Sequence, residues 1–213
     1  MAIYLIRHGE TPGNRDRIVQ LPATPLSERG LEQAERLADR LSGHPVRRIL
    51  ASDLARADMT AQALSRRLDL PVQPEPLLQE RNFGDLRGTP YAQLEEDLFG
   101  PAFAPPGGET WEDFHERVDL AWAKIQHAAQ GLEGHLAVVT HGLVLHSLVG
   151  RHLAGPGGAE GAGPGAFGNT CLTVVEPAEP ATNAAGTRAW RIALLGCTEH
   201  LEGEGGNEGI SGI

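Results

Sequence analysis

The sequence predicts an α/β protein built on a mostly parallel sheet covered by helices. Three observations point there. Apolar runs of strand length alternate with amphipathic helical stretches from Ile3 to Gln73, in the β-α-β-α-β order of a parallel sheet. Two apolar runs, beginning at Ile3 and Leu136, each deliver a His-Gly pair, His8-Gly9 and His141-Gly142. Ligands of open α/β sheets bind outside the carboxyl ends of the strands, so two such strands would bring both imidazoles to one edge. Finally, 213 residues suffice for one domain with a substantial core, and a composition of 40% hydrophobic and 22% charged residues is that of a globular chain.

The elements follow in order. Ile3-Tyr4-Leu5-Ile6 forms the first strand, and a loop with Asn14, Arg15 and Arg17 comes next. Ser27 then has the character of an N-cap, with Glu28 placed to suit the helix dipole. Leu31, Ala34, Leu37, Ala38 and Leu41 recur at helical spacing until Gly43. Val46–Ser52 reads as the second strand, about Asp53 to Leu68 as the second helix, and Pro71-Val72-Gln73 as a short third strand.

From Pro74 to Gly108, Pro, Gly and acidic residues replace the pattern, with one short helical stretch around Tyr91 to Leu98. A long irregular segment in a compact domain is usually functional, so this one is expected to cross the sheet edge where ligands bind. Thr110 and Asp113 form a capping-box pair before a helix whose apolar stripe is Trp111, Phe114, Val118, Ala121, Trp122 and Ile125. The strand Leu136–Thr140 and a helix from Leu143 to His152 follow. Nine of the fifteen residues from Ala154 to Gly168 are Gly or Pro, which implies a flexible loop. Thr170–Val175 and Ala189–Leu195 read as two closing strands around a polar connection. Residues 1–201 are thus read as one domain, and the Gly- and Glu-rich residues 202–213 as a mobile tail.

A formal net charge of -10 argues against nucleic acid or an anionic membrane as partner. No apolar run approaches the roughly 20 residues of a membrane span, and no secretory signal is visible at the N-terminus. Cys171 and Cys197 are too few for a disulfide framework and lack metal-ligand spacing, so they read as reduced thiols of a cytoplasmic protein.

An acidic chain that handles an anion must gather cations locally. Of 18 basic residues only Lys124 is a lysine, so an arginine is informative only by its context. Arg7 stands beside His8 at a strand exit, and Arg56 falls in the first turn of a helix that follows a strand. A helix N-terminus attracts anions, and the guanidinium fork matches phosphate oxygens. Two Arg, two His and the carboxylate of Glu80 make an inventory for phosphoryl transfer. Neutral His8 can attack phosphorus with one ring nitrogen while the other donates to a backbone carbonyl. Preorganised cations stabilise the transferring group, and a carboxylic acid of raised pKa can protonate the leaving oxygen. A metal site is the rival, yet no His-Glu-x-x-His motif is present, and Arg7 and Arg56 would repel a cation. His44, His115, His127, His135, His146 and His152 are scattered and read as surface or core residues.

Together, Arg7-His8-Gly9-Glu10-Thr11, Ser52-Asp53-Leu54-x-Arg56-Ala57, Glu80-x-x-Phe83-Gly84, Pro106-Gly107-Gly108-Glu109 and Thr140-His141-Gly142 resemble the histidine phosphatase superfamily, in its phosphoglycerate mutase-like branch. The resemblance covers Ile3 to about Leu201. It implies a three-layer α/β/α sandwich on a mostly parallel sheet and a histidine-type acid phosphatase or phosphomonoesterase. Such an enzyme would act through a phosphohistidine on a small phosphate monoester, without metal or other cofactor. Residue by residue it implies that His8 becomes phosphorylated and that Arg7, Arg56, His141 and the Gly142 backbone hold the phosphoryl group. It further implies that Asn14 and Arg81 contact substrate, that Thr11 supports His8 at the substrate site, and that Glu80 is the proton donor.

The chain departs from the resemblance at Ile18-Val19-Gln20, where relatives place a small residue and Gly. It also carries no Lys or Arg between Arg87 and Arg117, but seven acidic residues. An acidic lid of that kind disfavours a bisphosphorylated ligand and favours a hydrolase over a phosphoglycerate mutase, which is the alternative. A non-catalytic binding or signalling module with this fold is a further alternative, although such a module needs neither nucleophile nor acid. Neither the identity of the ester nor the oligomeric state is encoded in any motif.

Overall fold

The strand that ends in Arg7 is buried along its whole length, as a strand must be when helices cover both faces of its sheet. In the computed structural model, which describes residues 1–153, 165–182 and 188–202, it is one of six. They are β1 (Ile3–Arg7), β2 (Val46–Ala51), β3 (Val72–Pro74), β4 (His135–Thr140), β5 (Leu172–Thr182) and β6 (Arg188–Cys197). Their order in the sheet is β3-β2-β4-β1-β5-β6. The pairs β3-β2, β2-β4 and β4-β1 are parallel, while β5 and β6 close the sheet antiparallel. Most of the expected flexible loop (154–164), part of the connection between the closing strands (183–187) and the expected tail from 203 on lie outside the described residues.

Alternation along the strands divides the core in two. Ile3, Leu5, Leu136 and Val138 face one side, where they meet α4 (Trp111–Ala129) and α5 (Gly142–His152) through Phe114, Val118, Ile125, Val144 and Leu148. Tyr4, Ile6, Ala137 and Val139 face the other, against α2 (Glu28–Leu41) and α3 (Ala55–Leu68) through Leu37, Leu41, Ala61 and Leu64. Helices on both faces of a mostly parallel sheet make the α/β sandwich expected from the sequence. No described helix is long and apolar enough to cross a membrane.

Several local expectations change. The loop after β1 contains a single helical turn, α1 (Pro12–Arg15), capped by Thr11 and Asn14, too short to show any periodicity. Leu31 is 43% exposed and leaves the α2 stripe. Gly30 faces inward instead, because a Cβ there would lie 2.0 Å from the carbonyl oxygen of Glu10. Gly9 is in the same position, with a would-be Cβ 2.5 Å from the carbonyl oxygen of Gly30. The two glycines let α2 dock backbone to backbone behind His8. The Tyr91–Leu98 helix shrinks to one 3-10 turn, Tyr91–Gln93, and β5 and β6 run further than the apolar spacing suggests.

Candidate active site

β1 and β4 are neighbours in parallel register, with Arg7 opposite Thr140, so the chain leaves both at the same edge and His8 and His141 follow side by side. Their ring centroids are 5.1 Å apart. Arg56 reaches the same place from the start of α3, and Glu80 from the irregular segment between β3 and α4. A cavity of about 540 Å³, open to solvent, lies here and is lined in part by Arg7, His8, Gln20, Arg56, Glu80, Arg87 and Tyr91.

The two neighbours of the His8 ring fix its tautomer. Nδ1 lies 2.7 Å from the carbonyl oxygen of Gly9, which can only accept, so Nδ1 carries the proton. Nε2 lies 3.3 Å from Nε of Arg56, which can only donate, so Nε2 presents its lone pair. Burial, reinforced by Arg56 and Arg7, holds the His8 pKa well below the usual imidazole range and keeps the ring neutral. His141 is depressed likewise, by burial first and then by Arg56, His8 and Arg7.

Arg7 is buried, with Nη1 donating to the carbonyl of Phe167 at 2.6 Å. A Cβ on Gly142 would stand 3.6 Å from its Cζ, which puts the first turn of α5 against the guanidinium. Arg56 is buried too, and burial pulls its pKa to about 10. Ser52, at the exit of β2, lies 2.8 Å from Nε2 of His141 through its hydroxyl. Among the described residues, Nδ1 of His141 and Nδ2 of Asn14 are buried without a hydrogen-bond partner. Leaving a buried donor unmade costs about 1–3 kcal/mol, so such groups mark a place that a polar ligand completes.

The Glu80 carboxylate accepts from the backbone N–H of Arg81 at 3.0 Å and of Leu143 at 3.2 Å. Burial nevertheless raises its pKa, against the pull of those N–H groups, Arg56 and Arg7. Arg117, which the sequence left unremarked on α4, sets the backbone beneath it. Its Nη1 donates to the carbonyls of Leu77 and Gln79, both at 2.8 Å, while its Nε and Nη2 donate to the two carboxylate oxygens of Glu109.

Three expectations about the site change. Arg81 borders the cavity, but its guanidinium makes four hydrogen bonds to the carbonyls of Leu98, Phe103 and Glu109. It also stacks 3.8 Å above the Trp111 ring, so it pins the irregular segment and has little left for a ligand. Thr11 makes no bond to His8; it caps α1, and its hydroxyl lies within bonding distance of Asn14 and Gln20. The backbone N–H of Gly9, next to His8, is held by Thr60 of α3. The acidic lid is the third. Glu95, Glu96 and Asp97 are exposed and Glu109 is bound to Arg117, so these carboxylates do not set the charge of the cavity. Arg15 pairs with Asp16 in solvent, and Arg17 lies over the Tyr91 ring. Among the described residues no three His, Cys, Asp or Glu side chains gather as metal ligands, and Cys171 and Cys197 are free thiols.

Comparison with known proteins follows the same lines. The chain is 37% identical over 122 residues to the fructose-2,6-bisphosphatase TIGAR of Xenopus laevis, a match covering 52% of this chain and 44% of that protein. It is 35% identical over 169 residues to the adenosylcobalamin/alpha-ribazole phosphatase of Escherichia coli K12, covering 73% and 81%. A Yersinia pestis protein named "Probable phosphoglycerate mutase GpmB" is 30% identical over 212 residues, covering 95% of both chains. The structure of a mycobacterial glucosyl-3-phosphoglycerate phosphatase with VO3 superposes with a TM-score of 0.74 at 28% identity, over 91% of this chain and 97% of that one. The sequence profile of branch 1 of the histidine phosphatase superfamily matches residues 3–186, and this protein belongs to that superfamily.

Proposed function

We propose that this protein is a phosphomonoester hydrolase that works through a phosphohistidine on His8. The observation that carries the reading is the locked His8 tautomer, with Nδ1–H on Gly9 and the Nε2 lone pair turned to Arg56 at the cavity. In the first step Nε2 attacks phosphorus, the bond from phosphorus to the ester oxygen breaks, and the Glu80 carboxylic acid gives that oxygen its proton. In the second step the Glu80 carboxylate takes a proton from water, the water oxygen attacks phosphorus, and the P–N bond returns its electrons to Nε2. Phosphate leaves, and His8 is neutral again.

Arg7 and Arg56 stabilise the charge on the transferring oxygens. Asn14 Nδ2, His141 and the backbone N–H of Gly142 at the start of α5 complete the cradle. A cavity open to solvent supports hydrolysis, since water must reach the intermediate. That a mycobacterial relative forms a complex with VO3 supports phosphoryl transfer as the chemistry, because vanadate imitates a phosphoryl group in transit.

Steady-state hydrolysis of p-nitrophenyl phosphate tests the reading. The His8→Ala variant is expected to lose roughly 10³-fold or more in kcat/KM while remaining folded; substantial hydrolysis by that variant would overturn the covalent mechanism.

One observation favours a second reading, mutase action: the Yersinia relative matches 95% of both chains. Incubation with 3-phosphoglycerate, followed by 31P NMR, separates the two. Release of phosphate faster than formation of 2-phosphoglycerate supports the hydrolase, and the opposite order the mutase.

A further inference from the structure

We propose that Arg87 is a specificity-determining residue that recognises a second anionic group on the organic part of the ester. The inference rests on the phosphatase reading above and names the class of ester that the site takes.

The cavity holds more positive charge than one phosphoryl group needs. Arg7 and Arg56 sit beside His8 at the sheet edge and are the pair for the transferring phosphate. Arg81 spends its donors on backbone carbonyls. Arg87 is different: it lines the same cavity, is partly buried, and makes no side-chain hydrogen bond or ion pair to any described residue. Among the described residues that line the cavity, Glu80 is the only carboxylate, and it already lies between two backbone N–H groups. Arg87 is also near enough to Arg56 for the two charges to repel. A half-buried guanidinium that repels its neighbour in a chain of net charge -10 is unfavourable until an anion joins it.

The backbone around Arg87 is held in place rather than loose. Gly88 N donates to the Val19 carbonyl at 2.7 Å, Val19 N to the Thr89 carbonyl at 3.0 Å, and Ile18 bridges Pro90. The guanidinium therefore projects from a fixed wall, which limits the ordering cost of binding. That wall is the segment that also carries Glu80. Arg87 enters the cavity from the same segment as Glu80, the residue assigned to the leaving oxygen, and that shared segment is the ground for assigning Arg87 to the organic part of the ester. A carboxylate or a second phosphate there would find a planar donor fork.

Two matched pairs of esters test the inference. 3-Phosphoglycerate differs from glycerol 3-phosphate by a carboxylate in place of a hydroxymethyl group, and fructose 1,6-bisphosphate differs from fructose 6-phosphate by a second phosphate. In the wild type, kcat/KM for the more anionic member of at least one pair is expected to exceed its partner's by roughly tenfold or more. The pair that shows the preference tells carboxylate from phosphate. Arg87→Gln is expected to lower kcat/KM for that member roughly tenfold more than for its partner, chiefly through KM, and Arg87→Glu to invert the preference. A wild type indifferent within both pairs, or an Arg87→Gln loss equal for both members, would overturn the inference while leaving the phosphatase reading intact. Failure of the wild type to hydrolyse any ester, p-nitrophenyl phosphate included, would overturn both.

Discussion

Replacing Arg81 with methionine separates a residue that binds substrate from one that holds the fold around the site. The side chain keeps its length and apolar stem but loses four hydrogen bonds to the carbonyls of Leu98, Phe103 and Glu109 and its stack on Trp111. Bonds from a charged donor are each worth about 1.5–3 kcal/mol, and a desolvated cation–π contact about 2 kcal/mol. These values do not add. Relief of the buried charge also offsets part of the loss, since burial already pulls the Arg81 pKa down. A net destabilisation of about 2–4 kcal/mol is therefore expected. For a chain of this size that corresponds to roughly 4–16 °C in Tm. Differential scanning calorimetry measures the loss, and limited proteolysis should find new cleavage between Pro74 and Gly108. An unchanged Tm and cleavage pattern, together with a KM raised tenfold or more, would refute the pinning role and return Arg81 to the substrate.

Two further substitutions probe the site and its support. Glu80→Gln should cost roughly 10²–10⁴-fold in kcat/KM for an alkyl phosphate and much less for p-nitrophenyl phosphate, whose phenolate leaves without a proton. It should also remove the alkaline limb of the alkyl-ester pH profile: activity needs Glu80 protonated, and burial raises the pH at which that proton is lost. Equal losses for both esters would assign Glu80 to positioning. Gly30→Ala would place a methyl group 2.0 Å from the Glu10 carbonyl oxygen, so α2 or the Gly9–Glu10 backbone must move. A stability loss of about 1–3 kcal/mol is expected, with reduced kcat; a neutral outcome in urea denaturation would show that the close approach is dispensable.

Folding stability should also depend on pH in a defined direction. His8 and His141 are both held well below 6.5, by burial and then by Arg56. The unfolded chain therefore takes up protons that the folded one refuses, and stability should fall as pH drops through 6.5. Removing both imidazoles should reduce that slope of Tm against pH, and the remainder belongs to His115, His135, His152 and His200, which burial also holds below the usual imidazole range.

What was legible in the sequence was what local chemistry and strand geometry impose. A strand that must be buried on both faces is apolar throughout, and two such strands in parallel register place whatever follows them at one edge. That is why His8 and His141 could be paired from their flanks alone. Arg56 was legible for a similar reason, since it opens a helix directly after a strand. Arg81 was not, because its role depends on three carbonyls brought together from an irregular segment with no periodicity. Arg117 was hidden in the same way: on α4 it is one charged residue among many until Leu77, Gln79 and Glu109 come within reach. Gly30 passed for an ordinary helical position, since nothing in its neighbours announces the approach of the Glu10 carbonyl. The lid misled for the opposite reason. Counting the acidic residues of a segment says nothing about which way they face, and Glu95, Glu96 and Asp97 face water.

Direct capture of the intermediate bears on the mechanism itself. The protein would be mixed with p-nitrophenyl phosphate, quenched within milliseconds in alkali, where phosphohistidine survives, and examined by 31P NMR and peptide mass spectrometry. The expected result is one phosphoryl group on Nε2 of His8, lost in acid and absent from His8→Ala. Turnover with no phosphoprotein, or a phosphoryl group on Nδ1 of His8, on His141 or on Ser52, would contradict attack by the Nε2 lone pair.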